Sequence, residues 1–399
     1  MSGISDIDAS NVFLYVGDAV RWDAVPESLS QRGTVFKTVA ASIHTPTSFS
    51  SIVTGLQPPQ HGVRQFGDCL SNTTPSLFTL EGVKSHFSNT INEKFNDNPK
   101  SESILDKTLA TTESKPDDID DAEPPFIFVE RGRGGHAPYG DYPGNGWEYY
   151  RDRKDTSTST YRTEYQTGVE RDIEHFESQV EKLDERGLLE ETLVIYTSDH
   201  GELLGEGGCV GHNTPIRPEL AYVPTVFVHP DLKQKTVKSG VLRHVDFFPT
   251  LARLLGIQAD GDGVPGRDIF SQPLADQGAC FYDKSVVPEL QPLISGRLRF
   301  ESVWEADGGY VFPNSGQINR SVILAGKLLK SAKREYMRSR LWDVAKFYLT
   351  GVRSYDSPEL TVSDARKYLD QLDALPKSES ITQSTEVNEK QLRNLGYLS

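Results

Sequence analysis

With 399 residues, the chain is long enough for one large domain or two medium domains with a sizeable core. Hydrophobic residues make up 36% and charged residues 25%, as in soluble globular proteins, and the formal net charge of −15 argues against non-specific binding of nucleic acid. The acidic excess fits a high-salt cytoplasm or an ordinary acidic enzyme. Three widely spaced cysteines, Cys69, Cys209 and Cys280, provide neither a disulfide framework nor a cysteine-rich metal site.

The N-terminus and the apolar stretches bear on location. Residues 1–10 hold acidic side chains and no apolar run, so we expect no signal peptide. No stretch approaches the roughly 20 apolar residues that a membrane-spanning helix needs. We therefore predict a cytoplasmic protein with no integral membrane segment.

The first predicted strand, residues 11–16, runs into Gly17-Asp18, which places a carboxylate directly after a buried strand. The alternative role for Asp18 is an N-cap at a strand–helix junction. An extended segment at 33–42 then leads to the hydroxyl-rich turn Thr45-Pro46-Thr47-Ser48, which opens a helix that ends at Thr54-Gly55. A hydroxyl at a helix N-terminus is well placed for nucleophilic chemistry, although ordinary capping is the common alternative.

The next predicted strand, 125–129, follows an acidic stretch at 111–125 that we interpret as a solvated loop. The strand leads into a glycine-rich loop that carries Arg131, Arg133 and His136. Such a loop can meet an anionic substrate, and the alternative is a surface loop with an isolated histidine.

A long amphipathic helix over 161–186 precedes the strand 192–197, which ends in Ser198-Asp199-His200-Gly201. A β-branched run that ends in Asp-His-Gly is typical of a buried parallel strand that delivers two metal ligands at its carboxyl end. A simple turn with an exposed His200 is the alternative. Further on, His212 follows a glycine-rich loop, and His244 lies at a loop–helix junction, where structural packing is the alternative to a site role.

Strands and helices alternate to about residue 270, which predicts an α/β domain over 1–270 with a mixed, mostly parallel central sheet flanked by helices. Residues 271–399 are predicted to form a smaller C-terminal α+β subdomain. There, short alternating runs at 281–312 indicate a small antiparallel sheet. The segment 321–349 indicates a basic helix, for which a solvated face is favoured over a membrane-binding face.

Asp18, the hydroxyl-rich turn at Thr45 and Asp199-His200 thus each lie at a predicted strand end. Brought together, two carboxylates, an imidazole and a hydroxyl could surround one divalent cation. The cation would lower the pKa of the hydroxyl and neutralise a transferring sulfuryl or phosphoryl group. This set of groups is chemically complete for hydrolysis of an ester at sulfur or phosphorus.

These motifs, in this order, resemble the sulfatase family of the alkaline phosphatase superfamily over nearly the whole chain. The motifs that carry the resemblance are Gly17-Asp18-Ala19, Thr45-Pro46-Thr47-Ser48, Pro59-Gln60-His61-Gly62, His136-Ala137-Pro138-Tyr139, Thr197-Ser198-Asp199-His200-Gly201-Glu202, His244-Val245-Asp246 and Leu392-Arg393-Asn394-Leu395-Gly396-Tyr397-Leu398. The resemblance implies that Asp18, Asp199 and His200 bind the metal. It also implies that His136 and His212 lie near the leaving oxygen or the anion.

The nucleophile position departs from the family pattern. Sulfatases carry Cys or Ser in a Cys/Ser-x-Pro-Ser-Arg motif, and that residue is oxidised to formylglycine. In one register, set by Thr54-Gly55, Thr45 occupies the position, and counting from Pro46 instead places His44 there. Neither residue can become formylglycine and the arginine is missing in both registers; we prefer Thr45.

The leading hypothesis is a metal-dependent hydrolase of sulfate or phosphate esters with Thr45 as nucleophile, His136 or His212 as general acid and one divalent ion, which could be Ca, Mg, Mn or Zn. The expected partner is a small-molecule or glycan ester, with no nucleic acid. The alternatives are a phosphodiesterase, a transferase of a phospho-group to a sugar or glycan, and a binding protein that has kept the fold and lost catalysis.

Overall fold

A seven-stranded sheet forms the centre of the larger part of the chain. The computed structural model describes residues 7–90, 103–111, 118–154, 156–257, 263–285 and 296–378, and the backbone of 381–382. Part of the acidic stretch and the motif Leu392–Leu398 therefore lie outside the described residues. The strands of the sheet are β1 (Asn11–Gly17), β2 (Thr34–Val39), β4 (Lys84–Asn89), β5 (Phe126–Gly132), β6 (Thr192–Ser198), β7 (Tyr222–Val228) and β8 (Lys235–Arg243).

The strand order is β4-β5-β1-β6-β7-β2-β8, and β7 is antiparallel to both of its neighbours, whereas the other neighbouring pairs are parallel. Every residue of β1, β5 and β6 is buried. A strand buried on both faces favours a nearly continuous apolar run, which is why the polar residues of these strands lie at their ends and do not alternate with apolar ones. The predicted mixed, mostly parallel sheet is confirmed.

Helices cover both faces of the sheet. In β1, Phe13 and Tyr15 pack on one face against the helix Thr158–Glu185, whereas Leu14 and Val16 belong to the core on the other face, with Ile52 of the helix Thr45–Thr54. The other helices described in this part are Glu27–Ser30, Pro58–His61, Ile104–Leu109, Gly146–Asp152, Pro218–Ala221 and Phe247–Leu254, with 3-10 turns at Trp22–Ala24, Ile119–Asp121, Leu189–Glu191, Glu206–Gly208 and His244–Asp246.

A second sheet, four-stranded and antiparallel, follows in the C-terminal part with the order β12-β11-β10-β9. Its strands are β9 (Gly278–Ser285), β10 (Arg297–Glu305), β11 (Gly308–Pro313) and β12 (Arg353–Asp356). The last helix among the described residues is Val362–Asp373, and the short strands β3 (Asp68–Cys69) and β13 (Ile381–Thr382) pair with each other. The antiparallel sheet agrees with the sequence prediction, and the boundary at residue 270 stays a prediction.

The basic segment 321–349 differs from the single solvated helix that we expected. It forms three helices, Gln317–Lys330, Arg334–Arg338 and Leu341–Leu349. Apolar side chains of this segment, such as Ile323 and Phe347, are buried in a core that both parts of the chain share. In the described parts of the chain, every helix is too short or too polar to span a bilayer.

Candidate active site

Three adjacent strands deliver the polar side chains of the candidate site. The strands β5, β1 and β6 are neighbours and parallel, so their carboxyl ends lie at the same edge of the sheet. Asp18 follows β1, and Asp199 and His200 follow β6. One ligand atom from each of these three residues lies within 4.8 Å of the others, and all three side chains are fully buried. The structure therefore brings together the residues that we predicted as metal ligands.

The hydrogen bonds of this group leave one atom of each residue available as a metal ligand. Asp199 Oδ1 accepts hydrogen bonds from the backbone N–H groups of Ala19 (2.9 Å) and His200 (2.8 Å). Asp199 Oδ2 and Asp18 Oδ1 are buried and accept none from the described residues. His200 Nδ1 donates to the Gly201 carbonyl at 2.9 Å, which leaves Nε2 as the lone-pair nitrogen, 3.5 Å from Asp199 Oδ2. Two carboxylate oxygens and one imidazole nitrogen suit a divalent cation.

Charge within the centre is balanced by Arg131, which forms a buried ion pair with Asp18. Burial raises the pKa of Asp18, but Arg131 and the nearby histidines outweigh it and hold that pKa well below its usual range. Burial and the negative charge of Asp18 together raise the pKa of Asp199 to about 6. We expected Arg131 in a flexible loop, but β5 extends to Gly132, and Arg131 is its penultimate residue.

Among the hydroxyl groups of the turn at Thr45–Ser48, that of Thr45 contacts this centre. Thr45 is the first residue of the helix Thr45–Thr54, it is buried, and its Oγ1 lies 3.3 Å from His200 Nε2. Neighbouring hydroxyls are used within the turn: Ser48 donates to the Ser42 carbonyl at 2.8 Å, and Thr47 Oγ1 lies 3.0 Å from His44 Nδ1. The structure thus places Thr45, and not His44, in contact with a predicted metal ligand.

His136 and His212 lie next to the same centre. The His212 ring centroid is 4.3 Å from that of His200 and 5.5 Å from that of His136. His212 Nδ1 lies 2.9 Å from Glu202 Oε2, and His136 Nδ1 lies 2.7 Å from the Ala137 carbonyl oxygen. Each ring therefore carries its proton on Nδ1, with Nε2 as the second functional atom. Burial is the largest cause that lowers the pKa of both histidines.

His244, which we considered as a possible site residue, has a structural role. Its Nδ1 accepts a hydrogen bond from the Ala41 N–H at 3.2 Å, and its Nε2 donates to the Ser198 carbonyl at 3.0 Å. The ring thus ties the end of β6 to the chain that follows β2. The packing alternative is confirmed for His244.

One group that the sequence interpretation gave no role also belongs to the site. Glu202 contacts His212, and it lies three residues after Asp199 in the same motif, so that motif could have signalled it. Lys333 of the C-terminal part is close enough for its charge to contribute to the lowered pKa of His212, and its position far along the chain gave no signal.

Comparison with known proteins decides the family. Residues 17–257 match the family model for sulfatases, a range that contains all six predicted site residues. The chain belongs to the sulfatase family. Members of this family typically bind a divalent metal, and Asp18, Asp199 and His200 are a possible site for it in this sulfatase.

A relative from a haloarchaeon matches this chain along nearly the full length of both proteins. The low-salt glycan biosynthesis sulfotransferase Agl7 of Haloferax volcanii is 30% identical over 416 residues, which cover 100% of this chain and 98% of the relative. Human arylsulfatase K is 37% identical over 70 residues, which cover 18% of this chain and 13% of the relative.

Solved structures of similar fold include sulfatases and phosphonate monoester hydrolases. BT1596, a 2-O GAG sulfatase, superposes with a TM-score of 0.62 at 13% identity and covers 90% of this chain and 89% of its own. The phosphonate monoester hydrolase of Agrobacterium radiobacter gives a TM-score of 0.56 at 15% identity and covers 87% of this chain and 100% of its own. At these identities the structural likeness establishes the fold.

Proposed function

We propose that this protein is a metal-dependent enzyme that cleaves sulfate or phosphate esters, with Thr45 as the nucleophile. One observation carries the proposal: the Thr45 hydroxyl lies 3.3 Å from His200 Nε2, at a buried cluster of Asp18, Asp199 and His200 whose ligand atoms lie within 4.8 Å of one another. Family membership supports the reaction class.

The chain's residues divide the reaction between them. A cation held by Asp18, Asp199 and His200 would supply positive charge that stabilises the Thr45 alkoxide and the oxyanion of the ester. Thr45 releases its proton to solvent, and its Oγ attacks sulfur or phosphorus while the bond to the ester oxygen breaks. Arg131, next to Asp18, keeps that carboxylate ionised. Water then attacks the ester formed on Thr45 and restores the hydroxyl.

The departing oxygen needs a proton, and His136 and His212 are the candidates to provide it. Both rings adjoin the centre, and both direct Nδ1 to a fixed acceptor, which leaves Nε2 for the leaving group. Their pKa values are lowered by burial, so a bound anionic substrate must raise the pKa of the ring that acts as the acid.

A second candidate function is transfer of the sulfuryl group to a sugar hydroxyl in place of water. The full-length relative from Haloferax volcanii, named a glycan biosynthesis sulfotransferase, favours this alternative. The two reactions share the step in which Thr45 is esterified and differ in the acceptor of the second step. A glycan sulfate ester is accordingly the proposed natural substrate class.

The test combines metal analysis of the purified protein with assays of Thr45 variants. We expect Thr45→Ala to lower turnover of an aryl sulfate or a phosphodiester by about 10³-fold or more, and Thr45→Ser to retain a measurable part, because serine keeps the attacking oxygen. Ser50→Ala is the control, since the Ser50 hydroxyl donates to the Pro46 carbonyl within the same helix.

Full activity of Thr45→Ala would show that another group is the nucleophile. Turnover that rises with added sugar, with sulfated sugar as the product, would identify the enzyme as a transferase. If the protein binds a metal but neither the wild type nor Asp199→Asn turns over any ester, the result would instead identify a binding protein.

A further inference from the structure

Two lysines of the C-terminal part contact Asn213 beside the candidate active site, and a third lies next to Gly211. Lys284 of β9 donates to Asn213 Oδ1 at 3.2 Å, and Lys327 donates to the Asn213 carbonyl at 2.5 Å. Lys333 lies with its Nζ 4.2 Å from the centroid of the Tyr150 ring, and a Cβ at Gly211 would overlap that Nζ. Glycine at position 211 thus makes room for the third ammonium group.

This lysine cluster adjoins the groups that would handle the ester. Asn213 follows His212 directly, and Lys333 is near enough for its charge to contribute to the lowered pKa of His212. Lys284 likewise contributes to the lowered pKa of His44, whose Nε2 is buried and has no hydrogen-bond partner among the described residues. Lys284 Nζ also lies 5.0 Å from the centroid of the Phe66 ring, which packs edge-on against the His44 ring. The cluster therefore lies beside both His44 and His212.

Keeping these charges together costs free energy. Burial, followed by repulsion from Lys327 and Lys333, lowers the pKa of Lys284 to about 7. Burial and repulsion from Lys333 lower the pKa of Lys327 to about 8. Among the described residues, the carboxylate that acts on Lys333 is that of Glu202, which also contacts His212 Nδ1.

A structural role alone does not explain this arrangement, because the hydrogen bonds to Asn213 could come from neutral donors without the repulsion. Like charges that are held together at the edge of a reaction centre are typical of a site that binds the opposite charge. Lysine ammonium groups bind carboxylate, sulfate and phosphate oxygens as point charges, without a fixed geometry.

We propose that Lys284, Lys327 and Lys333 form an anion subsite for a second negatively charged group of the substrate, next to the ester that reacts. This inference extends the proposed function and rests on it, because it assumes that the protein has an ester substrate. The shared chemistry is an oxyanion on a neighbouring position of the same molecule: a carboxylate, a sulfate or a phosphate. Such a substrate is a polyanionic glycan or glycoside and not a singly charged ester.

Direct binding of simple anions tests the subsite without any turnover. Titration calorimetry on the full-length protein in a chelator would use inorganic sulfate, inorganic phosphate and acetate in separate runs, which distinguishes the three oxyanions. We expect saturable binding of at least one anion, weakened about 10-fold or more in Lys284→Gln and Lys327→Gln. Lys330→Gln is the matched control, because Lys330 is exposed on the same helix as Lys327, and it should bind like the wild type.

Unchanged affinity in both cluster variants, or no saturable binding by the wild type, would overturn the proposal. Thermal melting shows whether each variant is folded, and Lys327→Arg, which retains the charge, should restore binding if charge is what matters. If Lys327→Arg folds but stays as weak as Lys327→Gln, Lys327 acts through packing and the proposal fails.

A kinetic comparison separates this proposal from the function on which it rests. With an active wild type, Lys284→Gln should raise KM about 10-fold for a sulfate ester that carries a second anionic group and leave KM for a singly charged aryl sulfate within about 2-fold. Equal effects on both esters would refute the subsite. A wild type that turns over no ester but binds the anions through these lysines would refute the proposed function and leave the subsite standing.

Discussion

Glu202 fixes the proton of His212 on one ring nitrogen. Its Oε2 lies 2.9 Å from His212 Nδ1, so the ring donates from Nδ1 and Nε2 is the second functional atom. Burial raises the pKa of Glu202, and this is the largest influence on it, ahead of the opposing charge of Lys333. An ionised Glu202 would stabilise a protonated His212, which is the form that a general acid needs.

A substitution at Glu202 can therefore tell which histidine is the general acid. Glu202→Gln keeps an acceptor for Nδ1 but removes the negative charge, so the pKa of His212 should fall. If His212 is the acid, kcat should drop about 10- to 100-fold. The alkaline limb of the pH–rate profile should also move to lower pH, because the protonated form is lost earlier. The measurement is kcat against pH for the wild type and the variant.

Glu219→Gln provides the control, since Glu219 pairs with Arg217 and its loss removes the same charge elsewhere. If the alkaline limb stays at the same pH in Glu202→Gln and in the control, His212 is excluded as the general acid. His136 would then be the general acid.

At the scale of elements, the loop after β5 is fixed onto the loop after β1. The Gly135 N–H donates to the Asp18 carbonyl at 2.7 Å, and the Gly134 N–H donates to Asp172 Oδ1 at 2.7 Å. Gly134 has a φ of +50°, and a Cβ there would overlap the backbone of Asp18. The loop that carries His136 can thus approach the metal-ligand loop only because residue 134 is glycine.

Gly134→Ala should therefore displace Asp18 as well as strain its own backbone. The positive φ alone costs about 1–2 kcal/mol for alanine. We expect a larger loss of stability than that, together with weaker metal binding and lower kcat. Thermal melting and metal titration of the purified variant give the measurement.

Gly140→Ala is the matched control, because Gly140 has a φ of +61° and the nearest atom to a Cβ there is 3.7 Å away. If the two variants lose the same stability and both retain metal affinity, the close approach to Asp18 does not position that ligand.

The sequence patterns of single strands and helices determine which parts of the site could be predicted. Asp18 and Asp199 could be predicted as site residues because each follows a strand whose apolar pattern is local and strong. Thr45 could be predicted because it lies in a hydroxyl-rich turn that opens a helix. Arg131 was assigned to a loop because glycines at 132, 134 and 135 hid the last residues of β5. Lys327 was taken as solvated because a basic composition does not show which lysines turn inward, and their partner Asn213 lies 114 positions away.

For the whole molecule, metal binding connects stability to pH. Two buried carboxylates must both be ionised to bind a cation, in a chain that already carries a net charge of −15. Asp18 stays ionised because Arg131 lowers its pKa against the effect of burial. Asp199 is the limiting ligand, because burial and Asp18 raise its pKa to about 6. A proton and the cation therefore compete at Asp199.

A bound cation should stabilise the native protein by about 2.7 kcal/mol when its free concentration is 100 times its Kd, which raises Tm. In the metal-free protein, a raised Asp199 pKa stabilises the folded state at low pH, and this contribution is lost as pH rises from the unfolded value of 3.8 through about 6. Above pH 6 the bound cation supplies the stabilisation that the proton on Asp199 supplied at low pH. The metal-dependent rise in Tm should therefore grow between pH 5 and 7. Melting curves with chelator and with Ca, Mg, Mn or Zn across this range measure it.

Asp199→Asn, which cannot ionise, should show almost no metal-dependent rise in Tm at any pH. A rise of equal size at pH 5 and pH 7 would mean that the cation binds elsewhere, and the metal centre assigned to Asp18, Asp199 and His200 would be wrong.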